Sequence, residues 1–168
     1  SACAQSVVPF AEPIAGATSV EIDMITTRAP QDLQQELFGS ERSEGLNYAA
    51  LTVSIPPNHE RGQIAYPNGR VDPARTFAIT GVTPYRNAAD LRAAPARQSM
   101  LYVHGFNNTP PEAAFQAAQI KHDFLVPFPV RAFAWPSAGD PRGYLYDRDS
   151  VLYSRSDLAN TIRELTRG

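Results

Sequence analysis

Apolar and polar residues alternate along Ser19-Val20-Glu21-Ile22-Asp23-Met24-Ile25-Thr26-Thr27, and a period of two predicts a half-buried strand. Residues 46–55 predict a second strand, stopped by Pro56-Pro57, and residues 77–80 a short third. Residues 31–45 are polar and predict a loop, with one helical turn at 33–38. Proline and glycine crowd the stretch up to about Pro73. Residues 88–98, rich in Ala and Arg, fit either a helix or a linker, and Pro95 opposes a long helix.

From Ser99 the period changes. Met100-Leu101-Tyr102-Val103 is an unbroken apolar run, which predicts a parallel strand covered on both faces. After the turn His104-Gly105-Phe106-Asn107-Asn108, the spacing Thr109-x-x-Glu112 is that of a capping box, with proline at the first helical position. A helix is predicted from Pro110 to about Asp123, with Ala114, Phe115, Ala118 and His122 on its inner face. Residues 130–135 predict another strand and residues 136–140 a loop. Ser154 opens a last helix in which Leu158, Ile162 and Leu165 share a face, and Gly168 stands at its end. Strand, turn, helix, strand, loop, helix implies crossover connections and a parallel sheet. A third parallel strand is expected after Gly168.

Composition changes this picture little. A net charge of -2, with 43% hydrophobic and 19% charged residues, is globular material and gives no electrostatic basis for binding nucleic acid. The 15 prolines fall mostly between the apolar runs, where they punctuate loops. No stretch approaches the roughly 18 apolar residues of a membrane span. One cysteine, Cys3, excludes an internal disulfide. Ser1-Ala2-Cys3-Ala4 fits the lipid-modified start of a bacterial lipoprotein, and it fits equally a stray thiol at a ragged terminus. The first reading makes residues 1–18 a tether, Cys3 the lipidation site, and the location the bacterial cell envelope or periplasm, with a lipid anchor as a partner.

The chemistry centres on His104-Gly105-Phe106-Asn107. A strand ending in His-Gly before a helix start leaves backbone N–H groups beside the positive end of a dipole, which makes an oxyanion hole. In that reading Gly105 permits the turn and the Phe106 N–H does the stabilising. The other reading is an ordinary strand-to-helix turn with His104 a buried hydrogen-bonding residue. His59, in the polar turn Pro57-Asn58-His59-Glu60, is expected to face solvent, and His122 to face a different direction from Asp123. The three histidines lack a metal-ligand spacing, so neither a metal nor a cofactor is expected.

The runs Tyr102-Val103-His104-Gly105-Phe106-Asn107-Asn108, Ala117-Ala118-Gln119, Phe133-Ala134-Trp135-Pro136-Ser137-Ala138-Gly139 and Gly143-Tyr144-Leu145-Tyr146-Asp147-Arg148-Asp149-Ser150 resemble a bacterial family of α/β hydrolases classed as a domain of unknown function. Thr26-Thr27-Arg28, Leu51-Thr52-Val53-Ser54-Ile55-Pro56-Pro57 and Asp72-Pro73-Ala74-Arg75 resemble its lead-in strands, so the likeness covers roughly residues 20 to 168. It implies an α/β fold, namely the amino-terminal half of an α/β-hydrolase sheet. Residues 19–98 would supply lead-in strands and loops, and residues 99–168 the strand-helix-strand-helix half. It also implies acyl-ester hydrolysis by a Ser–Asp–His triad. The Gly-x-Ser-x-Gly elbow is absent from the sequence, and the acid and histidine that should follow it have no counterpart. Trp135-Pro136-Ser137-Ala138-Gly139 has tryptophan where the elbow needs its first glycine, so Ser137 is expected to line the cleft, with Trp135 and Tyr144 also binding substrate and Tyr144, Tyr146, Asp147, Arg148 and Asp149 read as a substrate wall. For Asp147 and Asp149 a helix start is as good a reading.

Two functions follow as expectations. One is a serine-hydrolase fragment acting on a small acyl ester, inactive alone and completed by a missing carboxy-terminal half. The other is a non-catalytic envelope module that binds a partner, or itself, by an open sheet edge. A nucleotide-binding domain is set aside, because neither Gly-x-Gly-x-x-Gly nor a phosphate-binding loop is present.

Overall fold

The computed structural model describes residues 9–30, 37–39, 41–92, 98–105, 108–137 and 144–166, with residues 92 and 144–147 described in backbone only. Five strands form one mixed sheet: β1 (Thr18–Arg28), β2 (Arg42–Ile55), β3 (Ala78–Pro84), β4 (Met100–Val103) and β5 (Val130–Ala134). Their order is β3-β2-β1-β5-β4. The lead-in strands pair antiparallel, while β5 joins β1 and β4 in parallel. The molecule is therefore of the α/β class, as the alternation of elements predicts.

β1 is the hub. Its alternation buries Val20, Ile22 and Met24 on one face, and from Ile25 to Arg28 both faces are buried. α2 (Pro110–Asp123) covers the first face, packing Ala113, Ala114, Phe115, Ala117 and Ala118 against a cluster that includes Met24, Ala132 and Ala134. Small alanines let the helix approach the sheet closely, and Phe115 fills the gap beside Phe77. The opposite face carries Ile25, Phe133 and Trp135, covered by Leu91 of α1 (Ala88–Arg92) and by Leu158 and Leu165 of α3 (Tyr144–Thr166).

Several details differ from expectation. β2 begins at Arg42, inside the stretch read as loop. Among the described residues β4 is an edge strand paired with β5 alone; its residues are half-buried and Val103 is 41% exposed, so it is not covered on both faces. α3 starts at Tyr144, ten residues before Ser154. Its buried row is Ser150, Ser154 and Thr161, flanked by Leu158 and Leu165, whereas Ile162 is 46% exposed. Two of the row's three hydroxyls bond the sheet: Ser154 Oγ meets Thr27 Oγ1 at 2.9 Å and Arg42 donates to Ser150 Oγ, whereas the buried Thr161 Oγ1 has no partner among the described residues. The stretch expected as a tether is docked at Pro9–Ala11, where Ile79 N–H donates to the Pro9 carbonyl and Phe10 packs on the core. Cys3, Pro95 and the turn expected at 33–38 lie outside the described residues, save for Leu37 and Phe38, which are buried.

Candidate active site

Three strands point their carboxyl ends at one edge of the sheet: β1 ends at Arg28, β5 runs into Trp135-Pro136-Ser137, and β4 into His104-Gly105. α2 starts at the same edge. Thr109 caps it, accepting from the Glu112 N–H, while the Glu112 carboxylate accepts from the Thr109 N–H at 2.7 Å. The reciprocal bonds fix where the helix begins, and hence where its positive end lies relative to the His104 turn.

Arg28 binds the edge together. It is 3% exposed, and its guanidinium donates to the carbonyls of Trp135 (3.2 Å), Gly39 (3.0 Å), Asn108 (3.4 Å) and Ser137 (2.7 Å). A planar fork of five donors can satisfy four carbonyls from three segments at once, which a point ammonium cannot do. The slip in β1–β2 pairing between Thr26 and Arg28 accompanies this inward turn, and Thr26 Oγ1 accepts from the Arg28 N–H while donating to the Ala134 carbonyl. Sequence reading matched Thr26-Thr27-Arg28 only to the lead-in strands. A basic residue ending an otherwise buried strand was the signal that could have marked Arg28 as a clamp.

His104 is buried. Its ring stacks on Trp135, with centroids 4.9 Å apart and planes 11° apart. Nδ1 lies 2.7 Å from the Gly105 carbonyl and Nε2 3.2 Å from the Trp135 carbonyl, while the Trp135 indole N–H donates to the His104 carbonyl at 3.0 Å. The pair locks the ends of β4 and β5 to each other. Trp135 and Ser137, expected to bind substrate at the cleft, are 6% and 2% exposed and belong to this packed edge. Gly105 is not in a left-handed conformation, and a Cβ there would meet no described atom within 4 Å. The turn does not need glycine for its backbone, contrary to expectation; glycine leaves clear space instead. Phe106, Asn107 and the side chain of Tyr144 lie outside the described residues.

Farther off, His59 is not exposed as expected. Its Nε2 lies 2.7 Å from Asp123 Oδ1, both side chains are under 10% exposed, and its ring meets Phe77 edge-on. His122 does not face away from Asp123 either: its Nδ1 lies 3.0 Å from the same oxygen. The Gly62 N–H donates to Asp123 Oδ2 at 2.8 Å. Burial alone would push the Asp123 carboxyl up, but the bonds from His122, Gly62 and His59 hold it at about 2. Bonds across 64 positions of sequence leave no local pattern to read.

Residues 85–168 match the model of a family described as alpha/beta hydrolase of unknown function (DUF900), starting well after residue 20, where the resemblance was traced. No curated protein and no solved structure gives a significant match to the chain.

Proposed function

The chain belongs to this α/β-hydrolase family, and from that membership we propose that it supplies the oxyanion half of a serine hydrolase acting on small acyl esters. One observation carries the reading: the carboxyl end of β4 and the capped start of α2 stand at the same edge of the sheet, with Arg28 donating to the Asn108 carbonyl and His104 and Trp135 bonded to each other. Donors held in advance where negative charge develops lower an acyl-transfer barrier without reorganisation. In this reading the Phe106 N–H is the donor, and Gly105 keeps its Cβ position clear for the acyl group. His104 orients the turn and does not exchange protons with substrate. The nucleophile comes from a Gly-x-Ser-x-Gly segment outside these 168 residues, on a strand laid beside the open edge of β4.

The test uses p-nitrophenyl acetate. The 168-residue chain is expected to be inactive, and a chain extended through a Gly-x-Ser-x-Gly strand to turn over ester in a manner blocked by serine-directed inhibitors. In the extended chain Phe106→Pro, which removes the N–H, is expected to lower kcat roughly 100- to 1,000-fold. Inhibitor-sensitive turnover by the short chain would show that the nucleophile is already within it.

The open β4 edge also favours the second reading, a hydrolase-derived module that binds through the sheet edge. Export and lipidation at Cys3 remain a proposal of the same kind, tested by metabolic labelling with a fatty-acid analogue. No helix among the described residues is long and apolar enough to cross a membrane.

A further inference from the structure

At the far end of α2 from the His104 turn, two imidazoles converge on one carboxylate oxygen. α2 has 14 residues, a rise of about 21 Å, so this cluster stands apart from the proposed oxyanion site. We propose that His59, His122 and Asp123 form a binding site for one zinc-class divalent ion, through His59 Nε2, His122 Nδ1 and Asp123 Oδ1.

Donor type comes first. Two imidazole nitrogens and a carboxylate oxygen are the borderline set that suits zinc, and three protein ligands with solvent in the fourth position make an open tetrahedral site. Spacing comes next. The three ligand atoms lie within 4.8 Å of one another, with nitrogen–oxygen separations of 2.7 and 3.0 Å. Tetrahedral ligands at about 2.0–2.1 Å from zinc stand roughly 3.3 Å apart, so those two pairs open by roughly 0.6 and 0.3 Å to admit the ion.

The surroundings fit a cation. Asp123 Oδ2 is already held by the Gly62 N–H, which leaves Oδ1 as the single ligating oxygen, oriented as outer-shell bonds orient metal carboxylates. Gly62 delivers that N–H from a left-handed conformation (φ +82°) that a side chain would strain. His122 and Asp123 occupy the last turn of α2, the negative end of its dipole, where a buried carboxylate is unfavourable alone and a cation is favoured. The end of the helix is fixed by the bonds Val126 N–H to Lys121 O and Leu125 N–H to His122 O, a Schellman pair, so the ligands do not fray with the terminus. His122 is 31% exposed and also lines an open hollow with Glu21, Thr52 and Lys121, which gives a hydrated ion its way in. The Lys121 ammonium is engaged on the Glu21 carbonyl at 2.7 Å.

The experiment is equilibrium dialysis of the 168-residue chain against Zn2+, carried in a Cys3→Ser background so that the thiol cannot contribute, with Co2+ as a spectroscopic substitute. One zinc per chain and the strong visible absorption of tetrahedral Co2+ are expected. His122→Gln, at the partly exposed ligand, should leave the circular dichroism unchanged and weaken zinc at least about tenfold, the lower end of what losing even an outer-shell partner costs. His59→Gln and Asp123→Asn should do the same, with His122→Gln keeping the test valid should either unfold. Failure of the folded parent to retain zinc, or equal retention by His122→Gln, overturns the proposal. The readout is metal content, so it stands or falls separately from esterase activity.

Discussion

At the scale of single residues, one buried polar side chain ties the sheet edge together. Arg28 satisfies four carbonyls from three segments. Arg28→Ala leaves them in a dry site and is expected to cost about 3 kcal/mol or more in urea unfolding. Arg28→Lys should recover less than half of that, because a point ammonium cannot reproduce the planar fork. Tyr85 shows the opposite trade. Its hydroxyl donates to Asp23 at 3.0 Å, and burial together with the Asp23 charge pushes the phenol up to about 12. Unfolded tyrosine ionises near 10, so this contribution is complete below about pH 10 and is lost as pH rises towards 12. Comparing urea midpoints of the parent and Tyr85→Phe across alkaline pH should show the parent's advantage disappear over that interval.

At the scale of elements, α2 was the most legible because its limits are written locally: Thr109, Pro110 and Glu112 announce the start, and the helix runs to Asp123 as read. Its end holds a surprise. Leu125 adopts φ 52°, a left-handed conformation usually given to glycine, and its side chain is 75% exposed. Leu125→Gly removes that strain with little packing lost and is expected to stabilise the fold by about 1 kcal/mol, seen as a higher melting temperature. α3 was half-read because its buried row is Ser150, Ser154 and Thr161, which apolar periodicity does not register. β4 was misjudged because an unbroken apolar run records composition, while coverage depends on which strands flank it. The candidate site divides in the same way. The His104 turn was legible as a strand-to-helix junction, but the Arg28 clamp and the His59 cluster exist only once distant segments meet.

At the scale of the whole molecule, two surfaces stand uncovered among the described residues. β4 lies at one end of the sheet, and α3 exposes Val151, Leu152 and Tyr153, with Leu152 63% exposed. Sedimentation of the 168-residue chain is expected to show concentration-dependent association, and Leu152→Glu to reduce it without loss of helical circular dichroism. A monomer that persists at high concentration would oppose this.

The position of β1 in the sheet has a consequence for biosynthesis. Its second edge belongs to β5, which begins 75 residues after β2 ends. On a translating ribosome the lead-in hairpin therefore waits for seconds with that flank bare, and bridging so long a stretch of chain is the slow, entropically costly kind of closure. Anything that occupies the flank of β1 in that interval, whether a chaperone or a neighbouring nascent chain, decides whether the polypeptide matures or aggregates.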